Sequence, residues 1–445
     1  MYDAIYIEGK GKPTVTYIFE HFHNDAMSAA SSKGMPVIRV VPETIVSECT
    51  VLPEIEKAVG AVFDKVIDAL TRPLTAEEKS PKSREPENPP RIVFNGPLEE
   101  VNRFFYQRGW TDGLPVVPPT EAAVAEMLTG TDLPADALVE KLEPRLGKAT
   151  VERIAINGVM AGCLPIHMPL LIAGVHAWAA NPGPSMMAVS TGSWAPFWFV
   201  NGPIAGEINI NCSYGAANPG DIANATIGRA LALMVRNVCG IRKQVEDMSV
   251  FGNPGKYTFV VAENEANSPW EPLHVERGFN KDDSTITLTF PQSFQQMLPF
   301  STDAKGILAT VVGSIVPARF GLFTLALTPN NARSLANEGW SKQAIKDYIV
   351  KNTRVHDDYY RRLDLNEPKS SDQNTFLAIG SGAEIFRPSQ SNPDPVQIFV
   401  FGGFGSWMGF LQGGPSPITK KVELPKNWTQ LVKKYKNIVP NYVRY

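Results

Sequence analysis

Cysteine is scarce in this chain. Four thiols in 445 residues (Cys49, Cys163, Cys212 and Cys239) are too few for a disulfide framework. A surplus of one charge is lacking too: 42 basic residues face 45 acidic ones, a net charge of −3. That leaves no electrostatic case for nucleic acid or anionic lipid as a partner. No run approaches the roughly 18 apolar residues of a membrane span. The opening stretch holds Asp3, Glu8 and Glu20 in place of a basic-then-apolar leader. A soluble, cytoplasmic protein is expected. No fixed-period repeat is legible. What is present is a globular composition, 43 % hydrophobic and 20 % charged.

Three regions follow from the composition: a partial α/β domain over 1–71, a Pro/charge-rich linker over 72–96, and a large α/β domain, of mixed α+β character, over 97–445. In the first, the β-rich run Thr14–Phe19 precedes a helix over His23–Lys33 that stops at Gly34. Val37–Val41 reads as a second strand closed by Pro42. Pro53 then opens a helix with Ile55, Val59, Phe63, Ile67 and Leu70 on one face. Strand, helix, strand, helix implies a small parallel sheet, which cannot cover its own faces. Prolines 73, 81, 86, 89 and 90 make the linker stiff and solvated. Beyond it, helices are expected over Leu98–Arg108, over Val151–Ala180 with a break at Pro165, and over Ile222–Val238. Strands are expected at Phe197–Val200, Thr258–Val261, Thr285–Phe290, Leu322–Leu327 and Gln397–Phe401.

Five stretches carry candidate chemistry. In Gly109-Trp-Thr-Asp-Gly-Leu-Pro-Val-Val-Pro-Pro-Thr120, Asp112 is a fixed carboxylate and Trp110 a binding surface; the competing reading is an Asx-turn. In Ala155-Ile-Asn-Gly-Val-Met-Ala-Gly-Cys163-Leu-Pro165, small residues and a helix break place Cys163 where a thiol can meet a substrate, with Asn157 as a binding amide. His167 invites a Cys–His pair, although Pro165 upsets simple helical spacing; a buried structural thiol is the alternative. Cys212 ranks lower, and Cys49 and Cys239 read as filler. An amide-rich region adds Asn201 and Asn224, with Asp221 as a helix cap and Arg229 to hold a carboxylate or phosphate. The densest constellation, Glu263-Asn-Glu-Ala-Asn-Ser-Pro-Trp-Glu-Pro-Leu-His274, follows a strand. Its prolines and Trp270 would fix Glu263, Glu271 and His274 for acid/base work or a carboxylate/His metal site; a solvated charged loop is the bland reading. Lastly, Gly402 and Gly403 end an apolar run without a dinucleotide fingerprint and read as a close-approach substrate loop. The pair His21 and His23 reads as a surface turn.

These motifs also carry a resemblance. Residues 2–41, through Gly34-Met-Pro-Val-Ile-Arg-Val-Val41, resemble the second half of the UGSC-type (seleno)protein domain. The remainder is similar to the uncharacterised companion domain that accompanies it in bacterial genomes. The Gly109–Thr120 and Ala155–Cys163 stretches, Ser-Pro-Trp-Glu-Pro-Leu-His274 and Gly339-Trp-Ser-Lys342 carry it. In that family a Sec/Cys-Gly-Ser-Cys motif precedes this segment, and no such motif stands here. The resemblance implies a second polypeptide bearing the motif, hence a hetero-oligomer. The expected function is a subunit of a bacterial enzyme, an oxidoreductase or lyase, acting on a small polar organic molecule. Thiol-dependent reductive cleavage or elimination at Cys163 comes first. A cofactor-free or metal-assisted hydratase/lyase using the Glu/His cluster is the alternative, and a non-catalytic scaffold for a redox partner the third. No cofactor is implied with certainty; a metal ion is left open.

Overall fold

In the computed structural model, residues 1–45, 51–81, 90–180, 184–315, 322–356, 358–362, 364 and 393–438 are described. The first region is a parallel pair, β1 (Thr16–Phe19) and β2 (Val40–Glu43). β2 runs through Pro42 instead of ending before it, which an edge strand tolerates because the missing N–H need not pair. The helix Leu52–Thr71 packs on this pair through Val62 and Ala69. It thereby leaves Val59, Phe63, Ile67 and Leu70 exposed: the apolar stripe read from the sequence is the outer one. Thr75 caps the short helix Ala76–Lys79, and Glu78 pairs with Arg39 and Arg72 at 2.8 and 2.9 Å.

The large region is mixed α+β. A hairpin, β3 (Leu138–Leu142) and β4 (Gly147–Thr150), leads into the helices Val151–Ala161 and Met168–Ala180, separated by a 3₁₀ turn at Pro165–His167. Two four-stranded sheets follow. The first contains β5 (Phe197–Asn201), β6 (Val260–Ala262) and β7 (Thr285–Thr289); the chain then crosses to the second sheet as β8 (Ser293–Met297). There β9 (Phe323–Leu327), β10 (Val396–Val400) and β11 (Met408–Gln412) are laid down, and β12 (Ile418–Lys421) returns to the first sheet.

The two sheets have one plan. In each, the first two strands pair in parallel, the third pairs antiparallel with the first, and a fourth borrowed from the other half pairs antiparallel with the third. The large region is therefore a structural duplication whose halves exchange their last strands. Each parallel pair needs a crossover: the helix Ile222–Asn237 in the first half, and the helices Pro329–Asn337 and Lys342–Asn352 in the second. The layers are helix, sheet, sheet, helix. Trp198, Val200, Ile286 and Leu288 face the first helical layer; Phe323, Leu325, Ile398 and Val400 face the second. Between the sheets lie Phe197, Phe199, Val261, Ala326, Phe399 and Leu411. Phe199 stacks on Phe399 at 4.7 Å, worth about 0.5–1.5 kcal/mol beyond its buried area. No helix among the described residues is long and apolar enough to cross a membrane.

Candidate functional site

The residues singled out in the sequence fall into two sets. The first set surrounds the helix Ile222–Asn237. Arg229 donates to both carboxylate oxygens of Asp112, at 2.8 and 2.9 Å, and to the carbonyls of Leu114 and Pro115. Burial opposes the Asp112 charge, but Arg229 outweighs it and holds the carboxyl below its usual range. Asp112 also accepts from Leu114 N–H at 3.1 Å, the Asx-turn. Neither residue is free for a substrate; together they fasten the Gly109–Thr120 loop. Trp110 packs edge-on against Phe104 and Phe105. Asn157 bonds Asn237 and the Arg153 carbonyl. Asn224 spends its amide on Asn211, Ala216 and Val260. These three are fasteners as well. Asp221 makes no cap bond and instead accepts from Asn211 at 2.7 Å.

Cys163 follows Gly162, the left-handed C-cap of its helix. Burial pushes its thiol up to about 12, against smaller opposing effects of Thr226 and Arg229. His167 is buried, where Cys163 is only half-buried, and loss of hydration pushes the imidazole down to about 3. Its Nδ1 accepts from Leu164 N–H at 3.2 Å and lies 3.4 Å from the Thr226 hydroxyl. A protonated thiol and a neutral imidazole are not a primed thiolate–imidazolium pair. Burial raises the Cys212 thiol also, and Cys239 is buried. Cys49 lies outside the described residues.

The second set is a site. At the end of β6, the buried Glu263 accepts from Asn201 Nδ2 at 2.6 Å and Leu273 N–H at 2.8 Å. Its other oxygen is 3.6 Å from Lys342 Nζ. Burial raises its carboxyl above the ordinary value, and Lys342 only partly offsets this. Glu265 accepts from Asn201 and from Gly202 N–H, and lies 3.7 Å from His274 Nδ1. His274 Nε2 is 3.3 Å from the Lys281 carbonyl, so it carries the proton, and Nδ1 is left without a hydrogen-bond partner. Lys342 continues the row: its Nζ donates to Glu276 at 2.5 Å and to the Glu271 carbonyl at 2.7 Å. Lys346 sits 3.6 Å from Glu276 and 2.7 Å from Asp394. Charges thus alternate from Glu263 inside to Asp394 outside.

The outer part of this row lines a cleft of about 590 Å³ together with Trp270, Glu271 and Arg277. Trp270 is fixed by its indole N–H to the Trp340 carbonyl, 3.0 Å away. Arg277 Nε is buried without a partner. Glu263 and His274, read as catalytic from the sequence, stand behind the cleft and do not line it. Gly402 lines a different cleft, while Gly403 packs on the ring of Tyr214. Sequence reasoning missed Glu276, Arg277, Lys342, Lys346 and Asp394. Lys342 and Lys346 have the i,i+4 spacing that puts two cations on one helix face; Asp394 carried no signal. No three His, Cys, Asp or Glu side chains among the described residues are grouped to hold a metal ion. No family model, curated protein or solved structure matches the chain.

Proposed function

We propose that this chain is an enzyme subunit that moves a proton on a small polar organic acid, in a lyase- or hydratase-type reaction, in the cleft of Trp270, Glu276 and Arg277. The observation that carries the reading is the row Glu263–Lys342–Glu276–Lys346, sealed at one end and open to a cleft at the other. Arg277, whose side chain lines the cleft, holds the substrate carboxylate. Glu276 takes the proton from carbon, and Glu271, which also lines the cleft, protonates the leaving group. Glu263, Asn201 and His274 are positioning residues. They fix Lys342, whose ammonium is shared between the two glutamates. Calorimetric titration with small hydroxy-, keto- and amino-acids tests the binding half of the proposal. Saturable binding that Arg277→Met weakens about tenfold or more supports it; absence of binding across the panel contradicts it.

Thiol-dependent chemistry remains the second reading, for one observation. The stripe Val59, Phe63, Ile67 and Leu70 is exposed on the outer face of the helix Leu52–Thr71, whose other face covers a sheet of only two strands among the described residues. A partner chain carrying the Cys/Sec-Gly-Ser-Cys motif of the UGSC-type family would cover it and bring the reactive thiol. Native mass spectrometry from the source cell tests this. A stable species without a second chain, fully active alone, contradicts it.

A further inference from the structure

The duplicated fold builds its cleft twice. The cleft of the row above is formed by the loop after β6, the lead-ins to β10 and β12, and the connection between β9 and β10. A second cleft, of about 850 Å³, is formed by the corresponding parts of the other half. These are the loop after β10, the lead-in to β6, β8 with its lead-in, and the connection between β5 and β6. A tryptophan from the loop after the second strand lines each, Trp270 in one and Trp407 in the other. The chemistry has diverged. The first cleft carries Glu271, Glu276, Arg277, Lys342, Lys346 and Asp394. At the chain's charged fraction of 20 %, about four of the 22 residues lining the second would be charged, and none is.

We propose that the second cleft is a binding site for an uncharged molecule carrying a flat ring with a polar edge. Its volume is that of a small-molecule site. A charged ligand would lose hydration there and find no counter-charge. Phe259 and Phe294, 5.8 Å apart, form an aromatic wall, and Trp407, 52 % exposed, stands ready to stack. Gly409 leaves room for that wall, since a Cβ there would come within 3.0 Å of the Phe294 ring. Of the lining amides, Asn253 and Gln292 are already committed to backbone carbonyls. Asn218 and Gln296 remain to meet the polar edge of the ring. The site stands whatever reaction the charged cleft performs.

Three probes with one ring and different charge decide it: nicotinamide, nicotinate and 1-methylnicotinamide. Each is titrated into the full chain, and the indole N–H resonance of Trp407, assigned through Trp407→Phe, is followed by NMR. Nicotinamide is expected to give a saturable shift, with the two charged analogues about tenfold weaker or more. Gln296→Ala, at an exposed position of β8, is expected to weaken nicotinamide by about fivefold. No saturable shift with nicotinamide, or equal responses to all three probes, overturns the proposal.

Discussion

The sign of one pH dependence separates a structural His167 from a catalytic one. In a thiolate–imidazolium pair the imidazole pKa would be raised, and the fold would hold or gain stability as pH falls toward 6. The structure predicts the reverse. His167 is buried, and its folded value is pushed down to about 3, against about 6.5 in the unfolded chain. Its contribution is therefore fully present above about pH 6.5 and is lost as pH falls toward 3, because only the unfolded chain takes up the proton. At pH 4 the loss is on the order of 3 kcal/mol. Urea unfolding of the full chain at pH 7 and pH 4 measures it, with His167→Asn as reference. Asn keeps an acceptor for Leu164 N–H, which Nδ1 now accepts at 3.2 Å, but cannot titrate. The wild type should lose about 3 kcal/mol more than the variant between the two pH values. Equal losses, or a wild type that gains, would refute the reasoning and restore the Cys163–His167 pair.

Further expectations concern the same residues. Iodoacetamide should label Cys163 only slowly in the folded chain at pH 8, since its thiol, half-buried, is pushed up to about 12; rapid labelling there would contradict the protonated state. Arg229→Met and Asp112→Asn should each destabilise by about 2–4 kcal/mol, with a coupling of about 2 kcal/mol in the double-mutant cycle. Independent, additive effects would free both residues for the substrate role first read from the sequence. Glu263 has its carboxyl raised by burial, so its contribution is present below the ordinary carboxylate range and lost as pH rises through the raised value. Glu263→Gln should accordingly lose less stability than the wild type between about pH 5 and 8, read by thermal unfolding.

Five strands of the two sheets were legible because apolar, β-branched or aromatic residues dominate them: Phe197–Asn201, Val260–Ala262, Thr285–Thr289, Phe323–Leu327 and Val396–Val400. The partners that complete the sheets were not. Ser293–Met297 is polar, Met408–Gln412 follows a glycine-rich loop and carries Gly409, and Ile418–Lys421 ends in two lysines, so none of the three announces itself by hydrophobicity. The duplication is hidden for the same reason: it is written in pairing order, which depends on contacts between distant segments, and not in a repeated motif. At the site, Glu263, Trp270 and Glu271 were legible from a proline-braced run following a strand. Lys342 and Asp394 reach them only through the crossover of the second half. Asp112 and Arg229 were both noticed, yet the contact between residues 117 apart turns an acid and a substrate anchor into one internal fastener. On the helix Leu52–Thr71 the stripe of large residues was legible, but Val62 and Ala69 on another face do the packing.

Proton exchange at carbon tests the proposed function most directly, because it needs no knowledge of the leaving group. The chain is incubated in D₂O with small hydroxy-, keto- and amino-acids, and loss of the carbon-bound proton signal is followed by NMR. Exchange on at least one acid, slowed about 10²–10⁴-fold in Glu276→Gln, is the predicted result. No exchange on any of them, or undiminished exchange in Glu276→Gln, would contradict the assignment of the charged cleft as the place where the proton moves.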